Sequence, residues 1–512
     1  MNGKPLRRDL LVLLPAALAL LLLVPRLDWG FLSTAPGVPI VHTAEPDEHH
    51  LVEGLLRMSL APFRPDPVDR SWGGLSFTLL GALVAGADFA GAFPGGWRAA
   101  LLSGDLERAR PVLLVMRSLS VLAVLACLLA AYVLARRKSG LGAGLLAATL
   151  VAISPAMALS GRTFVTDALE TALVVLAFVP ASPVAAGLLM GLAMGTKYSA
   201  AAFLPALVLS AGRERWRTLA WSVPLGFALA APFVVVHARS SVQLLFFHLA
   251  GVHGGTAAGP HVFAWLWRWH VSNALLYLIG PVGLFFAGLA IFRLVRGDGS
   301  GTWRARLVDS EAGVPLLLVL GQLAWLIVSN FPVLRYELPL VPFLAVWAAQ
   351  GLVRVSRARG LFFAGVLAPP AVLAFVLVFG VARTHPFESA GVLLRREVRG
   401  GERVGRIWSG MPQLPGIQTE GLKAFPNPGI PPESPAPDFL VDDDLPPIPF
   451  APEYVTGRER DYKALATFGG EPRLFGMTWP RVLTPHDARY PSPLVTVWEK
   501  TPRSVPRPAP AP

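Results

Sequence analysis

Shortly after its first hydrophobic segment the chain carries the stretch Thr43-Ala44-Glu45-Pro46-Asp47-Glu48-His49-His50, followed by Leu51-Val52-Glu53-Gly54-Leu55-Leu56-Arg57-Met58, and together they combine acids, imidazoles and apolar residues. Leu51, Leu55 and Met58 recur at helical spacing, so the stretch is predicted to form a short amphipathic helix. Its apolar stripe would lie on a bilayer surface and hold Asp47 and Glu48 at the water boundary. The stretch therefore predicts an acidic site beside a membrane.

A simpler interpretation of the two acids is helix capping. Acidic side chains at a helix N-terminus accept hydrogen bonds from free backbone N–H groups and interact favourably with the helix dipole. One cap needs one side chain, however, whereas here two adjacent carboxylates are followed by two histidines, His49 and His50. Both interpretations stay open on the sequence alone.

The composition of the whole chain is that of a membrane protein. Of its 512 residues, 53% are hydrophobic and only 15% are charged, and the mean hydropathy is +0.53. Soluble globular chains are far less apolar and more charged. The net charge of +12 does not indicate a nucleic-acid partner, because the basic residues cluster in short runs between apolar segments, as in cytoplasmic loops. The single cysteine, Cys127, excludes an internal disulfide.

The apolar runs predict a polytopic α-helical protein with about eleven spans. The first run, Leu10 to Val24, follows Lys4, Arg7 and Arg8. We interpret it as an uncleaved anchor, because the candidate signal-peptide cleavage site at 33–35 lies well beyond it. Short runs between 184 and 211 indicate broken or tilted helices. The predicted spans lie near residues 10–25, 112–135, 141–160, 167–180, 184–196, 200–211, 218–236, 272–292, 313–330, 337–352 and 361–382.

The basic clusters set the predicted topology. Segment 73–92 is apolar but contains Asp88 and several glycines, and treating it as an interfacial segment places the basic clusters on one side, which is the cytoplasmic side. The N-terminus is then inside, and the first loop, residues 26–111, is outside. The predicted location is the cytoplasmic (inner) membrane. The clusters lie at 136–138, 213–217, 293–306 and 354–359.

The composition changes after about residue 383, where polar residues return and prolines accumulate at 411–453. Segment 461–468 is predicted as a short helix. We expect a small soluble α/β domain over 386–500 on the extracytoplasmic side, and a disordered proline-rich tail over 501–512. The predicted strands are 403–408, 439–441 and 494–498.

Three further motifs fall on the predicted outer side. Arg162-Thr163-Phe164-Val165-Thr166-Asp167 opens a span, where the aspartate is either an N-cap or a functional group. Gly191-Leu192-Ala193-Met194-Gly195-Thr196-Lys197-Tyr198 places a lysine between two apolar stretches, where it either snorkels to the interface or binds an anion. Arg335-Tyr336-Glu337-Leu338-Pro339-Leu340-Val341-Pro342 offers a planar guanidinium suited to a phosphate, although an interfacial anchor would use the same residues.

The order and predicted placement of these motifs resemble the GT-C superfamily of membrane glycosyltransferases. The resemblance points to glycosyltransferase family 39, with the protein O-mannosyltransferases and the bacterial lipid A aminoarabinose transferases as relatives. It covers residues 1 to about 385, which would form a GT-C-like transmembrane module. It implies transfer of a sugar from a polyprenyl-phosphate donor to a lipid, glycan or protein acceptor on the outer face of the membrane.

The resemblance also implies roles for acidic residues. In that family the first-loop acid acts as a base or binds a divalent metal, which carries over to Asp47, with Glu48 beside it as the second predicted catalytic residue. The second-loop acid matches Asp167. Asp47 and Asp167 could share magnesium or manganese through hard oxygen ligands, whereas His49 and His50 would favour zinc. Metal dependence stays open at this point.

The predicted ligands of the donor phosphate are cationic or aromatic. The lipid-phosphate arginine of the family matches Arg335, and Lys197, Tyr336 and Arg162 are the other predicted ligands. One departure concerns the first loop, where many members have Pro-Pro-Leu and this chain has Asp69-Arg70-Ser71-Trp72-Gly73-Gly74-Leu75. That part of the loop therefore departs from the family's pattern for donor or acceptor recognition.

Two other classes of function share features with this sequence. A transporter or flippase of a lipid-linked sugar or small solute would also use broken helices and intramembrane charge. Its ionisable residues would lie near the bilayer midplane, whereas those of this chain are predicted at the outer boundary, which favours the enzyme. A membrane-tethered binding protein would explain the C-terminal domain but would leave the acidic first loop without a role.

Overall fold

The computed structural model describes residues 9–32, 43, 45, 47–60, 63–64, 73–212, 215–247, 275–296, 310–329, 333–355, 359–381, 384–406, 420–421, 437–443, 461–480, 489 and 493–501. Some predicted features lie outside these residues. They are the basic residues Lys4, Arg7, Arg8, Arg213, Arg304, Arg306 and Arg357, the candidate cleavage site at 33–35, the motif residues 69–72, most of 411–453, and the tail from 502.

Helices make up most of the described chain. Towards the N-terminus they are α1 (Leu13–Leu23), α2 (Glu48–Arg57), α3 (Gly74–Phe89), α4 (Trp97–Leu102), α5 (Leu106–Ala152), α6 (Pro155–Ser160), α7 (Thr166–Ala177), α8 (Pro183–Thr196), α9 (Leu204–Ala211), α10 (Trp216–Ala230), α11 (Pro232–Val236) and α12 (Ala238–Phe247). They continue with α13 (Leu275–Leu278), α14 (Gly280–Arg296), α15 (Ser310–Ser329), α16 (Val341–Val353), α17 (Arg359–Phe379) and α18 (Pro386–Glu397). Short 3₁₀ helices occupy Leu10–Val12, Tyr198–Phe203 and Leu334–Leu340.

The longest helix, α5, runs through the main hydrophobic core. The spans predicted at 112–135 and 141–160 belong to this helix and to α6, and α5 bends at Gly140. The φ of Gly140 is 84°, a conformation that glycine adopts without the strain a side chain would bring. Buried apolar side chains of α5 pack against α1, α7 and α16. The core thus forms around two consecutive apolar runs of the sequence.

Two stretches of the described chain are long and apolar enough to cross a membrane by length and composition, namely α5 and the helical stretch Leu334–Val353. Other apolar helices are shorter, including α3, which covers most of the segment 73–92 predicted to lie in the interface. The count of eleven spans is therefore not confirmed, and the topology stays a prediction.

The broken helix predicted between 184 and 211 is present. Helix α8 ends at Thr196, Lys197 has an extended backbone (φ −152°, ψ 131°), and a 3₁₀ helix leads into α9. Gly73, at the start of α3, lies against this break, and a Cβ there would come within 2.3 Å of the carbonyl oxygens of Gly195 and Thr196. Only glycine permits that approach. The break thus brings Lys197 next to the first loop.

The strands of the described chain are β1 (Ser59–Leu60), β2 (Phe63–Arg64), β3 (Val404–Arg406), β4 (Glu420–Gly421), β5 (Phe439–Asp443), β6 (Tyr462–Phe468), β7 (Arg473–Leu474), β8 (Met477–Thr478) and β9 (Val495–Lys500). Five of them form a mixed sheet in the C-terminal part, in the order β4-β3-β5-β9-β6. Strands β3, β4 and β5 are parallel, whereas β9 is antiparallel to both β5 and β6. The strands predicted at 439–441 and 494–498 are confirmed with small shifts in their ends. The strand predicted at 403–408 is confirmed over β3, and its last two residues lie outside the described residues.

The helix predicted over 461–468 is wrong, because those residues form β6. Tyr462 pairs with Lys500 and Phe468 with Val495 across the β6–β9 ladder. In a segment of eight residues the spacing of apolar residues does not distinguish a helix from a strand. Pairing with β9 supplies hydrogen-bond partners for the backbone of this segment, so its tertiary contacts determine its conformation.

The C-terminal part contacts the helical part through the chain that follows α1. Arg26 Nη1 donates a 3.1 Å hydrogen bond to the carbonyl of Val381, just after α17, and Leu32 is buried against side chains of α18 and of the sheet. Trp479 Nε1, just after β8, donates to the Tyr277 hydroxyl at 2.6 Å. The predicted domain boundary near residue 385 falls between α17 and α18.

Candidate active site

Helix α2 packs inside the protein, whereas the sequence predicts a helix at the membrane interface. Leu51, Val52 and Leu55 are buried in a protein core that includes Phe77 of α3. The prediction that this stripe lies on the bilayer is therefore corrected, since the protein itself covers it. Asp47 occupies the N-cap position but its side chain makes no capping hydrogen bond. Capping is thus excluded as the role of the Asp47 side chain.

The Asp47 carboxylate instead forms an ion pair with Arg335, which comes from the 3₁₀ helix Leu334–Leu340. The other terminal nitrogen of Arg335, Nη1, donates to Glu45 Oε1 at 2.7 Å. Two first-loop carboxylates therefore share one guanidinium. The side chains of Glu45 and Arg335 are 8% and 10% exposed, whereas that of Asp47 is 22% exposed. Asp47 is thus the more accessible of the two acids.

A second ion pair joins Asp167, in the first turn of α7, to Lys197 at the helix break. The Lys197 Nζ lies 2.5 Å from Asp167 Oδ1. Asp167 is buried, and its Oδ2 has no hydrogen-bond partner among the described residues. That oxygen can accept a hydrogen bond from a bound ligand.

Tyr336 connects the two ion pairs. Its ring lies under Lys197, with the Nζ 4.3 Å from the ring centroid, which is a cation–π distance. Its backbone follows Arg335 directly, and Gln322 of α15 donates to its carbonyl. We call the group Glu45, Asp47, Arg335, Asp167, Lys197 and Tyr336 the charged cluster. Four of the predicted site residues that it contains, Asp47, Asp167, Lys197 and Arg335, come from four separate parts of the chain.

Glu48 does not join the charged cluster. Both of its carboxylate oxygens accept hydrogen bonds from Arg117 of α5, at 2.9 and 2.8 Å, and Oε1 also accepts from the backbone N–H of Phe164. Arg117 Nη1 donates further to the carbonyls of Leu27 and Trp29. Glu48 is 0% and Arg117 2% exposed. This pair, the Glu48–Arg117 clamp, ties the first loop to α5 and to the chain preceding α7.

Arg162, a predicted phosphate ligand, lies near Arg117 of the Glu48–Arg117 clamp. One of its terminal nitrogens donates to the carbonyl of Arg26 at 2.8 Å and to that of Pro25 at 3.4 Å. Burial, with the nearby cations Arg117 and Arg26, lowers the pKa of Arg162 to about 9, so the guanidinium stays charged at neutral pH. Its described hydrogen bonds hold the chain after α1 and do not reach the charged cluster.

The described residues do not fit the predicted metal site. No group of three or more histidine, cysteine, aspartate or glutamate side chains comes together among them. Asp47 and Asp167 each face a cation, and the rings of His49 and His50 lie against each other with centroids 3.9 Å apart. Neither the magnesium or manganese site at Asp47 and Asp167 nor the zinc site at the histidines is supported by this arrangement.

The structure adds three functional candidates that the sequence motifs do not single out. Glu45 lies inside the acidic stretch, two residues before Asp47. Arg117 is a single arginine within an otherwise apolar run, which is a signal for a buried ion pair. Glu170 lies one helical turn after Asp167, is buried, and accepts a hydrogen bond from the Ser199 hydroxyl just after the break. Arg117 and Glu170 each place a charge inside an apolar segment, which is a signal for a functional or paired group. The partners of the three residues cannot be predicted from the sequence.

No protein-family model and no curated protein matches the chain. Solved structures that resemble it include the oligosaccharyltransferase of Archaeoglobus fulgidus tethered to an acceptor peptide with an NVT sequon (TM-score 0.49, 14% identity, 80% of this chain and 62% of that chain). The same organism's AglB with an inhibitory peptide and a dolichol-phosphate gives a TM-score of 0.47 at 14% identity, over 83% and 62%. ArnT from Cupriavidus metallidurans in the apo state gives 0.46 at 13% identity, over 95% and 97%.

This chain therefore spans about three fifths of the length of the archaeal enzyme, whereas its match with ArnT covers nearly the whole of both chains. Each of these matches has a TM-score below 0.5 and an identity of at most 14%.

Proposed function

We propose that this chain is a membrane glycosyltransferase of the GT-C type, which transfers a sugar from a polyprenyl-phosphate donor to a lipid, glycan or protein acceptor. The observation that carries the proposal is the charged cluster, in which a partly exposed aspartate and two cations converge from distant parts of an apolar chain. A buried charge cluster is costly in such a chain, and an anionic lipid substrate gives a reason for it.

The transfer requires one base and a stabilised leaving group. An acceptor hydroxyl or amine attacks the anomeric carbon of the sugar, and the bond from that carbon to the phosphate oxygen breaks. The bonding electron pair leaves with the polyprenyl phosphate, and the acceptor proton passes to a carboxylate. Asp47 is the proposed base, because it is the most exposed acid of the charged cluster and its side chain serves no cap.

The two cations are the proposed phosphate ligands. Arg335 presents a planar fork that suits a phosphate, and Lys197 adds a second positive charge close by, steadied by the ring of Tyr336. Charge that develops on the leaving phosphate would be stabilised by both groups. Asp167, through its unpartnered Oδ2, would accept a hydrogen bond from a sugar or acceptor hydroxyl.

Glu48 receives a different role from the one its sequence position indicated. Its carboxylate is saturated by Arg117 and Phe164. We therefore assign Glu48 to positioning the first loop, so that Asp47 meets Arg335. Arg162 has a similar positioning role through the carbonyls after α1.

The apolar helices and the predicted location belong to the same proposal. The isoprenoid tail of the donor would stay in the bilayer while its phosphate reaches the charged cluster at the outer boundary of the cytoplasmic membrane. The predicted C-terminal α/β domain over 386–500 would then lie outside, beside the acceptor.

A transfer assay tests this function. Membranes that contain the full chain are incubated with radiolabelled polyprenyl-phosphate sugars and with extracted lipid or protein acceptors. We expect label in the acceptor fraction, and loss of that label when Asp47 is replaced by Asn. Movement of the intact labelled donor across sealed vesicles without transfer would instead establish the flippase alternative.

A further inference from the structure

Arg335 has two carboxylate partners before any substrate is bound, and this arrangement bears on how the donor would enter. Its Nη1 holds Glu45 at 2.7 Å, and its Nη2 holds Asp47. The proposed phosphate ligand and the proposed base are therefore paired with each other. Each neutralises the other, so neither the fork nor the carboxylate is fully available for chemistry while that contact persists.

The two carboxylates are not equivalent. Glu45 Oε1 accepts from Arg335 and, at 3.4 Å, from the backbone N–H of Asp47. The Glu45 backbone N–H donates to the hydroxyl of Thr43, which in turn contacts the buried Glu48. Asp47 is nearly three times as exposed as Glu45 and makes no capping hydrogen bond. Asp47 is therefore the partner that an incoming anion can replace, and Glu45 is the one that stays.

The charge balance of the charged cluster also favours replacement of one carboxylate by an incoming anion. It contains three carboxylates, Glu45, Asp47 and Asp167, against two cations, Arg335 and Lys197, so its formal charge is already negative. A phosphate that joins all five groups would increase the repulsion between anions in a poorly screened site. Displacement of one carboxylate from the guanidinium relieves it.

We propose that the donor phosphate exchanges with Asp47 on Arg335, while Glu45 keeps the guanidinium in place. The inference rests on the proposed function and deepens it. Glu45 is then a positioning residue for the phosphate ligand. Asp47, once it leaves Arg335, can accept a proton from the acceptor. Without donor, Asp47 stays paired with Arg335.

Binding of undecaprenyl phosphate to the purified full chain in detergent micelles tests the exchange. Asp47→Asn removes the competing charge and should tighten binding about tenfold, which is about 1.4 kcal/mol. Glu45→Gln loosens the guanidinium and should weaken binding about tenfold. Glu53→Gln is the matched control, because it removes a carboxylate from the same helix that pairs only with exposed Arg57 in the described contacts. It should leave binding unchanged.

The opposite signs of the two effects are decisive. If the carboxylates acted only by their charge, both variants would bind the phosphate more tightly. If they acted only as structural supports, both would bind it more weakly. Either result overturns the exchange. Asp47→Ser serves as a second variant without charge, and gel filtration with thermal unfolding establishes that each variant is folded.

Steady-state transfer gives a second readout. Glu45→Gln should raise the KM for the lipid donor about tenfold and change kcat less than threefold, since Asp47 remains. Asp47→Asn should lower kcat without raising the KM. A Glu45→Gln variant with a normal KM would overturn its positioning role. If the wild-type chain binds no undecaprenyl phosphate, the donor class fails and the exchange with it. If binding is normal but the variants show the same sign, only the exchange fails.

Discussion

Asp47 and Glu48 are neighbours in the sequence, and each pairs with an arginine from a distant helix, yet the two pairs differ in almost every physical respect. The Glu48–Arg117 clamp is buried, and both oxygens of the glutamate are occupied by Arg117 and a backbone N–H. The Asp47–Arg335 pair is partly exposed and shares its guanidinium with Glu45. The first arrangement has no capacity left for a substrate, whereas the second does.

The comparison distinguishes a pair that positions the chain from a pair that can act on a substrate. The two differ in how far their side chains are exposed and in whether their hydrogen-bonding capacity is already used. A fully desolvated and fully hydrogen-bonded ion pair fixes geometry, because breaking it leaves an uncompensated charge in a poorly polarisable interior. A pair that retains contact with solvent can exchange one partner at a moderate cost. The clamp thus holds the first loop so that the exchangeable pair forms in the correct place.

Breaking the clamp should have the largest effect. Arg117→Met leaves Glu48 buried without its cation, so we expect a loss of about 3–5 kcal/mol in the free energy of unfolding and little folded protein in the membrane. The double variant Arg117→Met with Glu48→Leu removes both charges and should recover much of the loss. Thermal unfolding of the purified variants measures both effects. Normal stability of Arg117→Met alone would show that the clamp contributes little.

Replacing the exchangeable acid should affect turnover instead of stability. Asp47→Asn is nearly isosteric, and Arg335 keeps Glu45 as a partner. We expect the transfer rate to fall about a hundredfold or more, while the free energy of unfolding changes by about 1 kcal/mol or less, as for a partly exposed ion pair. Expression level and transfer rate are measured on the same membranes, with Glu53→Gln as the matched control. Near-normal transfer by Asp47→Asn would remove the proposed base.

The sequence predicts features that depend on local contacts, but it does not predict the difference between the Asp47–Arg335 and Glu48–Arg117 pairs, which depends on contacts between residues far apart in the chain. The apolar runs predicted the helices, and the short runs predicted the break at Lys197, because those features are local. The directions of the Asp47 and Glu48 side chains could not be predicted, since their partners are 288 and 69 residues away. The same reason explains why Glu45 was missed and why β6 was predicted as a helix, for its conformation depends on pairing with β9.

The phosphate ligand itself should give a smaller effect than the base. Arg335→Lys keeps the positive charge but loses the planar fork that serves two acidic groups at once. We expect binding of undecaprenyl phosphate to weaken about tenfold, or about 1.4 kcal/mol. Arg57→Lys, an exposed arginine on α2 paired with Glu53, is the control and should bind normally. An unchanged affinity in Arg335→Lys would reduce Arg335 to an interfacial anchor.

The smallest effect is expected at Tyr336, which links the two halves of the charged cluster. Its ring face lies 4.3 Å from the Lys197 Nζ, and this contact does not need the hydroxyl. Tyr336→Phe should therefore change the KM for the lipid donor less than twofold. Tyr336→Leu removes the ring and, with a cation–π contact worth about 0.5–2 kcal/mol, should raise that KM several-fold. If Phe and Leu raise it equally, the hydroxyl contacts the substrate directly, and Tyr336 belongs with Asp47 among the catalytic residues instead of with the groups that position them.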